Sequence, residues 1–364
     1  MKEFKNVMRI YLDHNATAPL RVEARDAMIS AMDVVGNPSS VHGEGRAAKS
    51  IVEHARAQVA TAVGCNPAEV VFTSGATEAA SMLGGLIAGA DVLVDETSHD
   101  ALWAHLRMSG SDKSKTSVHT LAMGLANGET GVITPAPQKV DGQWFFDQIS
   151  ANWLMLDVTQ AVGRIPFAFA WSGADLAVLS GHKFGGPKGV GVLIVRDNVD
   201  IGALSLGGGQ EMGRRSGTEN IIGIAGMGAA IAAAIRDLDS GVWNYVEKLR
   251  IILETGVEVA SKETILIGKD RSRLPNTSCL LTPGWKGETQ VMAMDLAGFA
   301  VSAGSACSSG KVKASRVLLA MGYGQDDAAS AIRVSLGPEN TEEDVTRFVD
   351  VWTNKLERHR KRSA

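Results

Sequence analysis

Residues 177–195 read AVLSGHKFGGPKGVGVLIV: an apolar run from Ala177, a glycine-rich turn holding Lys183, and a second apolar run ending at Val195. Short apolar runs bounded by Gly and Pro read as buried strands, so Lys183 stands directly after the end of one. Lysine is almost never fully buried without a partner, because its ammonium group gives up hydration that apolar surroundings do not replace. Chemistry that removes the charge lifts that cost, and a Schiff base between the amine and an aldehyde does so. The plainer reading, a solvated loop lysine, suits Lys188 beyond Pro187.

Outward from this turn, short apolar strands alternate with helical patterns. Strands are expected at Val70–Thr73, Asp91–Val94, Ser117–Met123, Trp153–Asp157 and Leu176–Leu179, with helical spacing over Arg46–Val63, Thr77–Ala88 and Ala101–Met108. That alternation argues for right-handed crossovers and an α/β fold with a mostly parallel sheet covered on both faces. The rhythm changes near residue 240. A long amphipathic helix over Val242–Ser261, strands near Thr264–Ile267 and Ser278–Leu281, and a last helix from Thr341 then follow, with a frayed, solvated RHRKRSA tail. The expected partition is a large domain over 15–240 and a smaller C-terminal α+β domain over 241–364 that takes in residues 1–14.

The totals fit an ordinary globular protein. Of 364 residues, 45% are hydrophobic and 21% charged, with a net charge of -4, so nothing favours nucleic acid or an anionic membrane as partner. The apolar run Ile221–Ile235 falls short of the roughly 20 residues a bilayer span needs and reads as a helix buried all round. The N-terminal segment has scattered charges in place of an apolar h-region, and the expected location is cytoplasmic. Cys65, Cys279 and Cys307 lie far apart, with no C-x-x-C pair, so any special cysteine acts as a free thiol.

Four features carry chemistry. TSGATEA, residues 73–79, joins a strand to a helix start, where free N–H groups can take an anion such as phosphate; alone, it reads rather as a plain helix cap. Asp157 ends the apolar strand WLMLD, at the end of a parallel strand where α/β folds bind ligands, and needs a cationic partner there. A protonated pyridine nitrogen would serve; an Asp paired with a structural arginine or capping the next helix is the even alternative. Lys183 follows Asp157 by 26 residues, one helix-turn unit, so the two can reach one site from neighbouring strand ends. His99, between a strand and a helix, could stack on a flat cofactor or be an ordinary polar group. Together the anion loop, the carboxylate and the lysine specify far more than any one alone.

YLDHNATAP, TSGATEA, DVTQAVGRIPF, SGHKFGGPKG, GGGQEMGRRSGT and SAGSACSSG, in this order, resemble the motifs of cysteine desulfurases of the IscS/NifS type, within the class V aminotransferases. The resemblance covers nearly the whole chain. It implies a fold-type I homodimer with a seven-stranded type of sheet, using pyridoxal 5′-phosphate to take sulfur from L-cysteine and leave L-alanine and an enzyme persulfide. By matching position, it gives Lys183 the Schiff base, Asp157 the pyridinium nitrogen, His99 the ring face and Gln160 the phenolic oxygen. It assigns the phosphate end to Ala76, Thr77, Ser180 and His182, with Thr218 of the partner subunit, and the substrate carboxylate to Arg333, as a bidentate fork.

Cys307 matches the sulfur-accepting nucleophile, in a small polar segment from Ser302 to Gly310 that suits a mobile loop. A free thiol has a pKa near ~8.5, so it needs a positive or acid–base partner. Cys279 and Cys65 read as small buried hydrophobes. The same segment nearly imitates a phosphate-binding P-loop, but the glycine spacing is one residue too long and Val312 replaces the Ser/Thr. One position departs from the family: Gly128 stands where the resemblance implies a second asparagine that contacts the cofactor ring oxygen and substrate, and either Asn127 swings in for it or water fills the gap. Other readings are a selenocysteine lyase, an aminotransferase, a low-activity scaffold or, more weakly, a nucleotide-binding α/β protein. The sulfur acceptor, whether an iron–sulfur scaffold, a tRNA-thiolation protein or a DNA-modification partner, is not specified.

Overall fold

The two apolar runs around Lys183 become adjacent strands, Leu176–Ser180 and Gly191–Val195, with every residue buried. The computed structural model describes residues 9–85, 90–108, 117–203, 205–304 and 314–363. They group into two units. One holds the chain up to Ala16, Asn127–Ile133 and everything from Gly241; the other holds Thr17–Ala126 and Thr134–Ser240. The expected partition had no place for Asn127–Ile133, an excursion of seven residues inside an otherwise continuous strand-and-helix pattern.

In the larger unit an eight-stranded sheet runs, in spatial order, Val70–Thr73, Gly191–Val195, Leu176–Ser180, Ile149–Asp157, Ser117–Gly124 and Val92–Val94, with a two-strand hairpin added on Ile149–Asp157. The last four strands of that path are mutually parallel. Gly191–Val195 runs antiparallel to both its neighbours, because the ten residues 181–190 that precede it are too few for a parallel crossover. The hairpin, Gln138–Val140 with Gln143–Phe146, escaped the pattern reading. Its signal is Asp141-Gly142, both at positive φ (50° and 82°), the Asp-Gly pair that favours a two-residue hairpin turn.

Two helical expectations are modified. Thr77–Ala88 is broken at Ser81 into Ala76–Ala80 and Met82–Gly85, and its last three residues lie outside the described ones. Ala101–Met108 yields only Asp100–Trp103, since Arg107 leaves the helix to exchange backbone bonds with Val92 at 2.7 and 3.0 Å. The apolar helix Ile221–Asp239 is buried along one face, not all round. By length and composition it is one helix that could cross a membrane, and half of it is buried inside the unit. Gly228 lets it lie against Gly43–Val63: a Cβ there would meet the Ala55 Cα at 2.8 Å.

The smaller unit carries a four-stranded antiparallel sheet, Ile265–Leu266, Thr277–Leu281, Ala331–Ser335 and Ser302–Ala303 in spatial order, and a parallel pair, Ile10–Tyr11 with Phe299–Ala300. Val345, Phe348, Trp352 and Leu356 line the buried face of the last helix, as their spacing requires. That helix continues to Ser363, taking the basic tail into its last two turns with Arg358, Lys361 and Arg362 exposed. The His359 ring stacks on Trp285 at 5.4 Å, and Arg360 bonds Glu263 at 2.9 Å and Ser261 at 3.1 Å.

Candidate active site

In the larger unit the functional residues gather at one edge of the sheet. Ile149–Asp157 and Leu176–Ser180 are parallel, with Asp157 in register with Val178. Their C-terminal ends therefore face the same way, one delivering Asp157 and the other the 3₁₀ turn Gly181–Lys183. Val70–Thr73, antiparallel to the strand between, ends at this edge too and turns through Ser74-Gly75 into the helix Ala76–Ala80. Ligands in open α/β sheets bind at such strand ends. The turn depends on Gly191: a Cβ there would stand 2.5 Å from the Gly75 Cα and 2.7 Å from the Leu179 carbonyl oxygen.

Asp157 is half-buried and its Oδ1 accepts the Thr159 N–H at 2.9 Å. Lys183 is half-buried and Lys188 exposed. His182 is pushed down to about 4 by burial and by the nearby charges of Lys183, Lys188 and Arg164, so its ring is neutral at pH 7. Its Nδ1 is buried without a hydrogen-bond partner, as is the Thr159 hydroxyl. His99 caps the helix Asp100–Trp103, its Nδ1 accepting the Ala101 N–H at 3.0 Å. A neutral His99 that accepts at Nδ1 carries its proton on Nε2, and the residue is exposed.

Gln160 accepts a close hydrogen bond through Oε1 from Arg164, whose Nη2 also donates to the Lys183 carbonyl at 2.9 Å. Arg164 lies within DVTQAVGRIPF, and its place in the site shows only through these two partners. Thr218 is exposed, in the segment that follows Glu211. That segment is anchored by the buried Glu211 carboxylate, which takes Arg56 at 2.8 and 2.9 Å and the Phe72 N–H at 2.9 Å.

In the smaller unit Arg333 projects from Ala331–Ser335. Its Nη2 donates to Asp13 Oδ1 at 2.8 Å and its Nη1 to the Gly128 carbonyl at 3.0 Å, while Nε is buried without a partner. Asp13 Oδ2 accepts from the Ser302 hydroxyl at 2.8 Å. The Gly128 carbonyl also takes the Asn15 side-chain N–H at 3.0 Å. Asn127 Oδ1, which would have to leave its turn to replace the missing side chain, accepts from the Glu129 and Thr130 N–H groups at 2.9 and 2.8 Å.

Cys307 lies outside the described residues. Of the other thiols, burial drives Cys279 well above the usual range. Cys65 is pushed up to about 12 by burial, then by Glu69 and Asp197. Neither is a nucleophile at neutral pH.

The sequence matches the family described as aminotransferase class-V over residues 10–110 and 111–348. The chain belongs to that family. Among curated relatives, a cysteine desulfurase of Cereibacter sphaeroides is 35% identical over 373 residues, covering 94% of each chain. The cysteine desulfurase IscS of Dictyoglomus turgidum is 34% identical over 380 residues, covering 96% of this chain and 95% of its own. Among solved structures, a NifS-like protein superposes with a TM-score of 0.83 at 31% identity, over 96% of this chain and 100% of its own. Class-V members are pyridoxal-phosphate enzymes, and the strand-end residues fit that group. A lysine, a carboxylate and two buried polar atoms without protein partners, Thr159 Oγ1 and His182 Nδ1, meet its need for an amine, an acid and hydrogen-bonding groups.

Proposed function

We propose that the protein is a pyridoxal-phosphate-dependent cysteine desulfurase, which takes sulfur from L-cysteine, releases L-alanine and leaves a persulfide on Cys307. The observation that carries this is the delivery of Lys183 and Asp157 from the ends of adjacent parallel strands. The names of the relatives favour desulfuration over the aminotransferase and lyase readings.

Lys183 would hold the cofactor, with Asp157 at the ring nitrogen, His99 on the ring face and Gln160 at the phenolic oxygen. Ala76, Thr77, Ser180 and His182 would hold the phosphate, joined by Thr218 of the partner subunit in a homodimer. A neutral His182 suits that place as a hydrogen-bond donor. Bound there, pyridoxal phosphate supplies an electron sink that makes the α-proton of an amino acid removable. Lys183 Nζ takes that proton, and Arg333 binds the substrate carboxylate. Over the whole reaction the substrate Cβ–S bond breaks, a Cβ–H bond forms, and an S–S bond forms to Cys307 Sγ, so L-cysteine and one thiol become L-alanine and one persulfide. The persulfide then passes to an acceptor protein such as an iron–sulfur scaffold or a tRNA-thiolation partner. A reducing, cytoplasmic setting keeps such a thiol available.

The test is incubation of the purified holoenzyme with L-cysteine and a thiol reductant. Sulfide and alanine should appear in equal amounts. Cys307→Ser should keep the visible absorbance of the bound cofactor and lose sulfide release, and Lys183→Ala should lose the absorbance. Undiminished sulfide release by Cys307→Ser overturns the Cys307 assignment.

A further inference from the structure

We propose that Arg164 is a positioning residue of the cofactor site, fixing which end of the Gln160 amide faces the cofactor and tethering the Lys183 turn beside a permanent positive charge. This rests on the pyridoxal-phosphate reading above.

Arg164 is 3% exposed. Its Nη1 donates to both oxygens of Gln160, the carbonyl at 3.2 Å and the side-chain Oε1 in a shorter contact, and its Nη2 donates to the Lys183 carbonyl at 2.9 Å. One planar fork thus joins the turn after Asp157 to the turn that carries the lysine. The chemistry of the fork sets a direction. A guanidinium has five donors and no acceptor, and it does not lose its proton in proteins. An amide, by contrast, has an oxygen end and a nitrogen end that are nearly the same shape. With Arg164 in place, the oxygen end must face the guanidinium. The Nε2 end is then directed away from it, as a donor suited to the anionic phenolic oxygen of the cofactor. Without Arg164 either end could turn inward, and the oxygen end would repel that anion.

The charge has a separate consequence. A nearby cation disfavours a second positive charge, and His182 already registers this, behind burial and the two lysines. A protonated Schiff base on Lys183 would be disfavoured in the same sense. Among the described residues, titratable or charged groups near this turn include His182, Asp157 at the neighbouring strand end, the exposed Lys188, and Arg21, which is paired with Asp237 in a 2.6 Å ion pair.

The experiment is a pH titration of the cofactor's visible absorbance in the holoenzyme. Arg164→Met should raise the midpoint by about one pH unit, and Arg164→Lys, which keeps the charge, should restore most of it. Gln160→Met should move the absorbance maximum in the wild-type background and add nothing in the Arg164→Met background, where the amide is no longer oriented. An unchanged midpoint in Arg164→Met, or equal effects of Gln160→Met in both backgrounds, overturns the proposal. Should Arg164→Met fail to fold, Arg164→Gln serves instead. It keeps one donor but no charge, and the same rise supports the proposal while an unchanged midpoint overturns it. Failure of the cofactor reading looks different: wild-type protein then shows no visible absorbance with pyridoxal phosphate, or Lys183→Ala retains it.

Discussion

Gly191→Ala is the substitution whose cost the structure fixes most closely. The added Cβ would stand 2.5 Å from the Gly75 Cα, 2.6 Å from the Gly75 carbonyl carbon and 2.7 Å from the Leu179 oxygen. All three are backbone atoms, so no side chain can rotate away. Ordinary contact begins near 3.4 Å, and a gap of about 1 Å must therefore open. Gly191 cannot supply it, since its strand is laddered on both sides, to Thr73 and to Ser180. The Ser74-Gly75 turn has to lift. Overpacking of this kind costs about 1–3 kcal/mol, with the upper half expected here because only backbone can yield. A 1 Å displacement of the turn before Ala76 and Thr77 would weaken a charged cofactor contact by about 1.5–3 kcal/mol, roughly tenfold or more in affinity. Urea denaturation reads the first quantity and absorbance titration of the apoprotein with pyridoxal phosphate reads the second. Gly189→Ala is the control: its φ of +79° imposes strain, but nothing lies within 4 Å of the new Cβ, so stability falls and cofactor affinity does not. A Gly191→Ala protein with wild-type urea midpoint and cofactor affinity would refute the reasoning.

Two further outcomes follow from the site. His182 has a folded pKa of about 4 against an ordinary 6.5, so the unfolded chain binds the extra proton first and His182 contributes stability that is complete above pH 6.5 and lost as pH falls toward 4; denaturation midpoints of His182→Gln should decline less than wild type across that window. Gly128→Asn keeps the carbonyl that Asn15 and Arg333 use while restoring the amide usual in the family, so turnover or the KM for L-cysteine should improve, and a variant with neither gain shows that the missing side chain is not what limits the enzyme.

Much of this was legible from periodicity. The apolar runs around Lys183 and before Asp157 read as buried strands from their short length and the Gly and Pro that bound the Lys183 turn, and the strand-end placement of both residues follows from that. Other features are invisible to local pattern because they depend on partners far along the chain. The antiparallel turn of Gly191–Val195 is a matter of link length. The basic tail reads as solvent-loving until Trp285 and Glu263 supply partners for His359 and Arg360. Arg164 and Asp13 sit inside quoted motifs, yet their importance lies in what they touch: Arg164 meets a carbonyl 19 residues on and Asp13 an arginine 320 residues on.

Asn127 and Gly128 show how geometry changes the meaning of a motif departure. Read as letters, a glycine for an asparagine is a lost functional amide, and Asn127 next door looks like a replacement. In the folded chain Asn127 Oδ1 closes a turn by accepting two backbone N–H groups and the Thr130 hydroxyl at 3.1 Å. Turning it elsewhere would strip those donors, at about 1–3 kcal/mol for each one left buried and unpaired. The substitute therefore costs more than one new hydrogen bond of about 1 kcal/mol returns. What position 128 does contribute is its carbonyl, which any residue has, and which accepts from Arg333 Nη1 at 3.0 Å while Asp13 accepts from Nη2 at 2.8 Å. The departure thus leaves the contacts of Arg333 with the Gly128 carbonyl and Asp13 intact, so a change of activity in Gly128→Asn reports on the added amide alone.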